Sequence, residues 1–379
     1  MQKPKHVCAA MSGGVDSSVM AHLLLAEGYA VTGATMTLYR PGMRWTEDRG
    51  LSYHPCGGET ACGSEADVRD ARAVCDRLGI PHTVYDFGGE FCRHVICDFV
   101  REYEAGATPN PCIVCNKRLK FGSLLNAALR DGADAIATGH YARVTYDEGS
   151  GRYLLKKAVD TDKDQTYVLW QLTQEALSRV LLPLGDYRKS EIRAMAAELG
   201  LVTAHKSDSQ DICFVPDGDY AAFLTRYTGR EPVPGEYVSE DGRVLGPHKG
   251  IIHYTVGQRK GLGIALGQPM FVKSKDPVSR RVVLTTNDRL FEREVFVEAV
   301  NLIALPRLDA PIRCEVKIRY NHRGAPATVI PIGEEAARIL FDEPQRAPAE
   351  GQSAVFYDGD TVIGGGIMRR SPSASLFGQ

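Results

Sequence analysis

The sequence predicts an α/β protein with a doubly wound parallel sheet at the N-terminus, a small central domain and a C-terminal β-barrel. Three observations predict it. Strand-like apolar runs alternate with helical periods before Cys112 and continue to residue 137. Past Cys213 the pattern gives way to short strands and glycine-rich turns. The chain has 379 residues, more than one ordinary core accommodates. The domain boundaries expected from these shifts are 1–205, 206–275 and 276–379.

Residues 7–11 read as a short apolar strand, followed by a glycine-rich turn and a helix over about 18–27 that Gly28 ends. Residues 30–36 are the next strand. Residues 40–63 read as an irregular insertion rich in Gly, Pro and Cys. Val68, Ala71, Val74 and Leu78 fall at helical spacing, so a helix is expected over 65–78. Gly79 stops it, and Pro81 follows. A strand at 82–85, helices at 90–104 and 119–130 and a strand at 133–137 complete the alternation, which argues for a parallel sheet with helices on both faces. Residues 229–235 form a Pro/Gly-rich linker. Short strands are then expected at 270–272, 281–284, 294–300, 312–320, 327–331, 337–341, 353–357 and 362–368, the pattern of a small barrel or sandwich.

Hydrophobic residues make up 44% of the chain and charged residues 24%, which excludes a disordered protein. The formal net charge is −2, so a nucleic-acid enzyme of this composition must concentrate its positive charge locally. No stretch approaches 18 uninterrupted apolar residues, and Met1–Lys5 leads into a strand without an apolar h-region. No membrane span and no export signal are expected, and the location expected is cytoplasmic. The ten cysteines then read as reduced thiols, metal ligands or catalytic groups rather than a disulfide framework. Cys75 lies on the apolar stripe of its helix and Cys8 in a strand, and both read as core. Cys56 and Cys62 share the insertion, with metal binding the minor reading. Cys92, Cys97 and Cys314 carry no motif.

The sharpest local motif is Ser12-Gly13-Gly14-Val15-Asp16-Ser17-Ser18, between the first strand and the first helix. Two glycines let the backbone turn tightly and bring N–H groups close to a ligand. The helix N-terminus adds partial positive charge, so the loop reads as a phosphate cradle in which Asp16 could help hold Mg²⁺. It lacks the Gly-Lys-Ser/Thr ending of a Walker A loop. A plain strand-to-helix turn with a Ser cap is the bland alternative. A second motif is Thr108-Pro109-Asn110-Pro111-Cys112-Ile113-Val114-Cys115-Asn116-Lys117. Its prolines keep the loop out of helix, and its two cysteines fit a redox pair, half a zinc site or cluster ligands. Lys117, Arg118 and Lys120 favour thiolate and suit RNA phosphate. A third cysteine lies downstream in Ser209-Gln210-Asp211-Ile212-Cys213-Phe214. Basic and aromatic residues gather at Gln258-Arg259-Lys260-Gly261 and among Arg313, Lys317, Arg319, Tyr320, His322 and Arg323. On composition alone, a solvated strand face is the plainer reading of the latter.

The Ser-Gly-Gly-Val-Asp-Ser-Ser run resembles the PP-loop of the ATP pyrophosphatases, which have the adenine nucleotide alpha hydrolase-like fold, adenylate an oxygen and release pyrophosphate. With Thr108-Pro-Asn-Pro, Cys115-Asn116, Ala137-Thr138-Gly139-His140-Tyr141, Lys163-Asp164-Gln165, Cys213-Phe214 and Gly257-Gln258-Arg259-Lys260-Gly261-Leu262-Gly263, the order of motifs is similar to that of the tRNA-specific 2-thiouridylases. Arg319-Tyr320, Gly351-Gln352-Ser353-Ala354-Val355 and Gly364-Gly365-Gly366 carry the resemblance to near the C-terminus.

The resemblance implies that Ala10, Met11, Ser12, Gly13, Gly14, Val15, Asp16, Ser17, Met36 and Gly139 line an ATP site. Cys115 matches the nucleophile and Cys213 the cysteine that carries a persulfide. Asn110, Pro111, Cys112 and His140 are implied at the target uridine, and Lys163, Asp164, Gln165, Arg319, Tyr320 and Gln352 at tRNA. One departure is Cys112, where many members have Asp. Thiolases with three cysteines can hold a [4Fe–4S] cluster, so Cys112, Cys115 and Cys213 are candidate cluster ligands as well, with structural zinc a lesser reading. The implied activity is that of a tRNA-uridine 2-sulfurtransferase acting on U34 of the anticodon loop, with the lysine, glutamate and glutamine tRNAs as substrates. ATP, Mg²⁺ and a protein donor of persulfide or sulfide are its expected partners. The alternatives are another PP-loop tRNA thiolase and a non-catalytic RNA-binding iron–sulfur protein, and only the latter lacks ATP–pyrophosphate exchange.

Overall fold

Val7, Cys8 and Ala9 are all buried, which marks strand β1 (His6–Ala10) as covered on both faces. In the computed structural model, which describes residues 4–46, 48, 50–53, 63–204, 206 and 212–370, β1 is the centre of a five-stranded sheet. Its partners are β2 (Ala30–Thr37), β3 (His82–Asp86), β4 (Ala135–Ala137) and β5 (Val180–Leu181), in the order β3-β2-β1-β4-β5 with every pair parallel. The order reverses beside β1. With right-handed crossovers, that reversal puts the connections of the two halves on opposite faces. Helix α1 (Val15–Ala26) packs Val19, Met20 and Leu24 into a core shared with Val7, Val74 and Ile192.

Helix α2 (Glu65–Leu78) has the expected bounds. The Ser64 hydroxyl accepts from the Asp67 N–H at its start, and Gly79 ends it at φ 68°, where a side chain is disfavoured. Three expectations are corrected. Residues 90–104 are not one α-helix, because a π-helical stretch, Cys92–Ile96, separates Gly88–Phe91 from Cys97–Glu104. The helix expected at 119–130 starts earlier, with a π-helical turn over Asn116–Leu124 before the α-helix Leu125–Arg130. The insertion at 40–63 contains a hairpin, Met43–Thr46 against Gly50–Tyr53. Cys56 and Cys62 lie outside the described residues. A second hairpin, Ala142–Asp147 with Arg152–Lys157, and a helix, Lys189–Glu198, follow β4.

The described chain divides into two compact units. The first is Met1–Ile96, Cys112–Pro216 and Asp360–Val362, and it holds the parallel sheet. The second is Cys97–Pro111, Asp217–Gly359 and Ile363–Gln379. In the second, strands β6 (Gly235–Val238), β7 (Val244–His248), β8 (Phe271–Asp276) and β9 (Arg281–Thr285) form a sheet in the order β7-β6-β9-β8 around Tyr237, Tyr254, Val272 and Val282.

Six more strands follow: β10 (Phe291–Leu302), β11 (Ile312–Lys317), β12 (Ala325–Pro331), β13 (Ala336–Arg346), β14 (Ser353–Asp358) and β15 (Thr361–Arg369). Their order is β10-β13-β12-β11-β14-β15, and β15 pairs back with β10, so the barrel closes. Closure leaves no strand edge open, and Val316, Val329, Ile339, Phe341 and Phe356 fill the interior. The closing seam requires small residues. A Cβ on Gly364 would lie 2.3 Å from the Asn301 carbonyl oxygen, and one on Gly366 would lie 2.8 Å from Val297 Cβ. Among the described residues no helix is long and apolar enough to cross a membrane.

Candidate active site

The carboxyl ends of β2, β1 and β4 carry Met36, the Met11–Gly14 loop and Gly139 side by side. This is the switch point of the sheet, where open α/β folds bind ligands. Gly13 takes φ 70°, and a Cβ there would lie 2.6 Å from the Asp67 carbonyl oxygen, so the loop rests directly on α2. The N-cap of α1 is Gly14, with no side-chain cap. The serines do not cap the helix as the bland reading requires. Ser17 and Ser18 turn their hydroxyls back to the Gly14 carbonyl at 3.1 and 2.8 Å, and Ser17 Oγ accepts the Ser12 N–H at 3.1 Å. The N–H groups of the first turn therefore keep their donor capacity for an anion, and the helix dipole favours one there.

Asp16 is tied down from the far end of this unit. Lys189 Nζ donates to its two carboxylate oxygens at 2.7 and 2.8 Å, and the Tyr141 hydroxyl donates at 2.9 Å. Lys189 begins the helix Lys189–Glu198 and is buried. Its backbone N–H is held by Asp160. Gly139 packs on the same residue: a Cβ there would lie 3.1 Å from Asp16 Cβ. Lys206 adds a second tie, donating to the Gly13 carbonyl at 2.9 Å while pairing with Asp67 at 3.2 Å and Asp70 at 2.7 Å. Sequence reasoning missed Lys189, Lys206 and the Tyr141 hydroxyl. Only the place of Tyr141 at the end of the Ala137–Tyr141 motif offered a signal.

His140 is buried, and Lys120 Nζ donates to its Nε2 at 3.4 Å, which leaves Nδ1–H to donate to Thr138 Oγ1 at 2.7 Å. Burial, with Lys120 beside it, holds the imidazole well below its ordinary range, so it is neutral at physiological pH. Lys163 is exposed. Asp164 is buried and accepts from the Ala158 N–H, the Thr166 N–H and the Thr166 hydroxyl. Gln165 brackets Tyr141, accepting its N–H at 2.9 Å through Oε1 and donating its own backbone N–H to the Tyr141 carbonyl at 2.8 Å. Asp164 and Gln165 thus shape the Gly139–Tyr141 turn from within.

The prolines do not keep this segment out of helix: Pro111 opens the short helix Pro111–Cys115, which carries Cys112, exposed, and Cys115, buried. The next residue, Asn116, donates to the Val168 carbonyl at 3.0 Å and begins the π-helical turn. Cys213 is half-buried in a turn, anchored by Phe214, whose ring meets those of Phe91 and Tyr39 edge-on at 5.6 and 6.5 Å.

Residues 5–217 match the family model described as the tRNA methyl transferase HUP domain, and 221–286 match its PRC-barrel domain. Residues 292–368 match the aminomethyltransferase beta-barrel domain. The tRNA-specific 2-thiouridylase MnmA of Acetivibrio thermocellus is 49% identical over 96% of this chain and 99% of its own. The protein of that name from Clostridioides difficile strain 630 is 47% identical over 97% of this chain and 99% of its own. The chain belongs to the tRNA-specific 2-thiouridylase family.

Within that family the departure at Cys112 raises the cluster reading, for which the structure offers no support. Among the described residues no group of three His, Cys, Asp or Glu side chains is arranged to hold a metal ion. Cys112, Cys115 and Cys213 all lie within those residues. For Mg²⁺ the loop offers Asp16, whose carboxylate a metal would share with the Lys189 ammonium and the Tyr141 hydroxyl. A metal that arrives with ATP takes most of its ligands from phosphate and water, which one carboxylate suffices to complement.

The remaining implied RNA residues lie in the second unit. Arg319 and Tyr320 are exposed in the turn after β11, and Arg319 donates to the Arg346 carbonyl at 3.2 Å. Arg313 makes a bidentate pair with Asp342, at 2.7 and 2.6 Å, so its charge is neutralised locally. Gln352 does not point away from the chain: its Nε2 donates to the Thr108 carbonyl at 2.8 Å.

Proposed function

We propose that the chain is an ATP-dependent tRNA-uridine 2-sulfurtransferase that converts the wobble uridine, U34, to 2-thiouridine. The observation that carries this is the uncapped start of α1, behind Gly13-Gly14 at the switch point of the sheet. Near-full-length likeness to the 2-thiouridylases supports it. The unit at 1–205 supplies nucleotide chemistry in this reading, and the parts at 206–275 and 276–379 bind tRNA.

The uridine C2 oxygen attacks the α-phosphorus of ATP, and the bond to the bridging oxygen breaks to release pyrophosphate. The N–H groups of Val15, Asp16 and Ser17 receive the departing phosphates. Mg²⁺ bound with the ATP would supply further charge neutralisation, and Asp16 is the carboxylate that would hold it on the protein side. Asn110, Pro111, Cys112 and the neutral His140 meet the target base, which is drawn out of its stack. A donor protein leaves a persulfide on Cys213. Its terminal sulfur attacks C2 and expels AMP. The Cys115 thiolate then attacks Cys213 Sγ, breaking the S–S bond so that sulfur stays on C2. The two cysteines end as a disulfide, which an external dithiol must reduce.

The test is pyrophosphate release from ATP with and without tRNA. The enzyme releases pyrophosphate in proportion to tRNA uridine, while an RNA-binding protein without catalysis releases none. The Arg319 turn supplies a second check. Arg319→Ala weakens tRNA binding and flattens the slope of log K against log salt by roughly 0.7–0.9, the value for one phosphate contact. An unchanged slope makes this turn a solvated face.

A further inference from the structure

Ala107 and Thr108 lead into Pro109-Asn110-Pro111 and are held by three other residues of the second unit, to which they belong. The Thr108 N–H donates to the Glu350 carbonyl at 2.8 Å. Gln352 Nε2 donates to the Thr108 carbonyl at 2.8 Å, and Lys275 Nζ donates to the Ala107 carbonyl at 3.3 Å. The fit is close: a Cβ on Gly351 would lie 3.0 Å from Ala107 Cβ and 3.1 Å from Thr108 N. Pro109 and Pro111 have no N–H, so the loop has few backbone bonds with which to hold itself. Thr108 Oγ1 is buried without a hydrogen-bond partner. Thr108 is therefore placed through its backbone, by these bonds, and not through its side chain.

Lys275 is the unusual member. It lies in β8 and is 2% exposed. The Tyr103 ring is 5.6 Å from its ammonium, and Gly106, at φ 83°, closes over its stem. Arg370 donates to its carbonyl at 3.1 Å and pairs with Glu350 at 3.5 Å, and Arg369 pairs with Glu102 on the helix Cys97–Glu104. Burial, with Arg370 adding to it, pushes the amine down to about 8. An interior amine is costly, and a methionine of similar length fills such a space at less cost. The group that the amine adds is the donor to Ala107.

We propose that Lys275 and Gln352 are positioning residues, which clamp Ala107–Thr108 so that Pro109-Asn110-Pro111 is presented in one conformation to the target base. The inference rests on the thiolation reading for its consequence, while the clamp itself is testable without it.

The experiment compares full-length wild type with Lys275→Met, Gln352→Ala and Gln352→Glu by hydrogen exchange and by single-turnover thiolation at saturating tRNA. Lys275→Met keeps the stem and removes the donor. Gln352→Ala opens the opposite side at a less buried position. Expected in both is exchange about tenfold faster in peptides covering residues 104–110, with the barrel strands unchanged. Single-turnover rates fall by about tenfold while tRNA affinity stays within about twofold. Gln352→Glu, which loses the donor, behaves as Gln352→Ala. Unchanged exchange at 104–110 overturns the clamp, as does faster exchange throughout the unit, which marks a general structural role. Weaker tRNA binding with an unchanged rate makes Gln352 a contact residue and overturns its positioning role. Wild type that thiolates no tRNA overturns the proposed function, while the exchange data still decide the clamp.

Discussion

Cys115→Ser and Cys213→Ser each remove tRNA thiolation, by about three orders of magnitude or more, because each deletes a sulfur that forms or breaks a bond. Both variants still release pyrophosphate from ATP in the presence of tRNA, since adenylation uses no thiol. Cys112→Ala keeps most of its thiolation activity. Cys112 is exposed, while Cys115, on the same short helix, is buried, and no three-thiol site is formed among the described residues. Single-turnover formation of the thionucleoside with a persulfide donor distinguishes the three. If Cys112→Ala is as inactive as the other two, and the wild type carries iron when purified without oxygen, the two-cysteine route is wrong.

The second large effect is expected at Lys189. Lys189→Met leaves the Asp16 carboxylate without its cation inside the nucleotide loop. Breaking a buried pair from one side costs ~3–5 kcal/mol, and Asp16 keeps 32% of its side-chain surface in solvent, so about 2–3 kcal/mol is the fitting range. The tRNA-dependent release of pyrophosphate falls by two orders of magnitude or so, because the loop N–H groups lose their fixed aim. Asp16→Asn combined with Lys189→Met regains much of the stability, since no bare charge remains, yet does not regain adenylation. Melting temperature and pyrophosphate release, measured on both single variants and the double variant, separate the two contributions. Recovery of adenylation in the double variant would show that the pair serves folding alone.

How far the sequence carries differs from element to element. Helix α2 is legible because its signals are local: Ser64 before it, a 3.6-residue apolar period along it and Gly79 after it. The barrel strands are legible for the same reason, alternating over short runs between turns. The π-helical stretches at Cys92–Ile96 and Asn116–Leu124 are not, since one extra residue per turn leaves almost the same periodicity as an α-helix. The hairpin Met43–Thr46/Gly50–Tyr53 hides because each strand is only four residues long, too short a run to stand out in an insertion rich in Gly, Pro and Cys.

The phosphate loop is similarly local, and it stands out as seven consecutive residues. Lys189 lies 173 residues from Asp16, in a Lys-Ser-Glu-Ile-Arg run like many helix starts, and only the folded sheet joins them. Lys275 is harder still. After Phe271 and Val272 its strand is four polar residues in a row, and nothing in Phe-Val-Lys-Ser-Lys-Asp says which lysine is interior. Asp164 and Gln165 show the converse. Their motif was legible, but their inward hydrogen bonds were not.

The proposed reaction replaces one oxygen of a tRNA uridine with sulfur at the expense of ATP. Its most direct test is mass spectrometry of nucleosides digested from unmodified tRNA after incubation with the chain, Mg·ATP and a persulfide donor. Expected is 2-thiouridine, absent when ATP is omitted, mapped to the wobble position, and formed with one AMP per thionucleoside. Sulfur on another base, or tRNA that returns unmodified while ATP is cleaved to AMP and pyrophosphate, would contradict it.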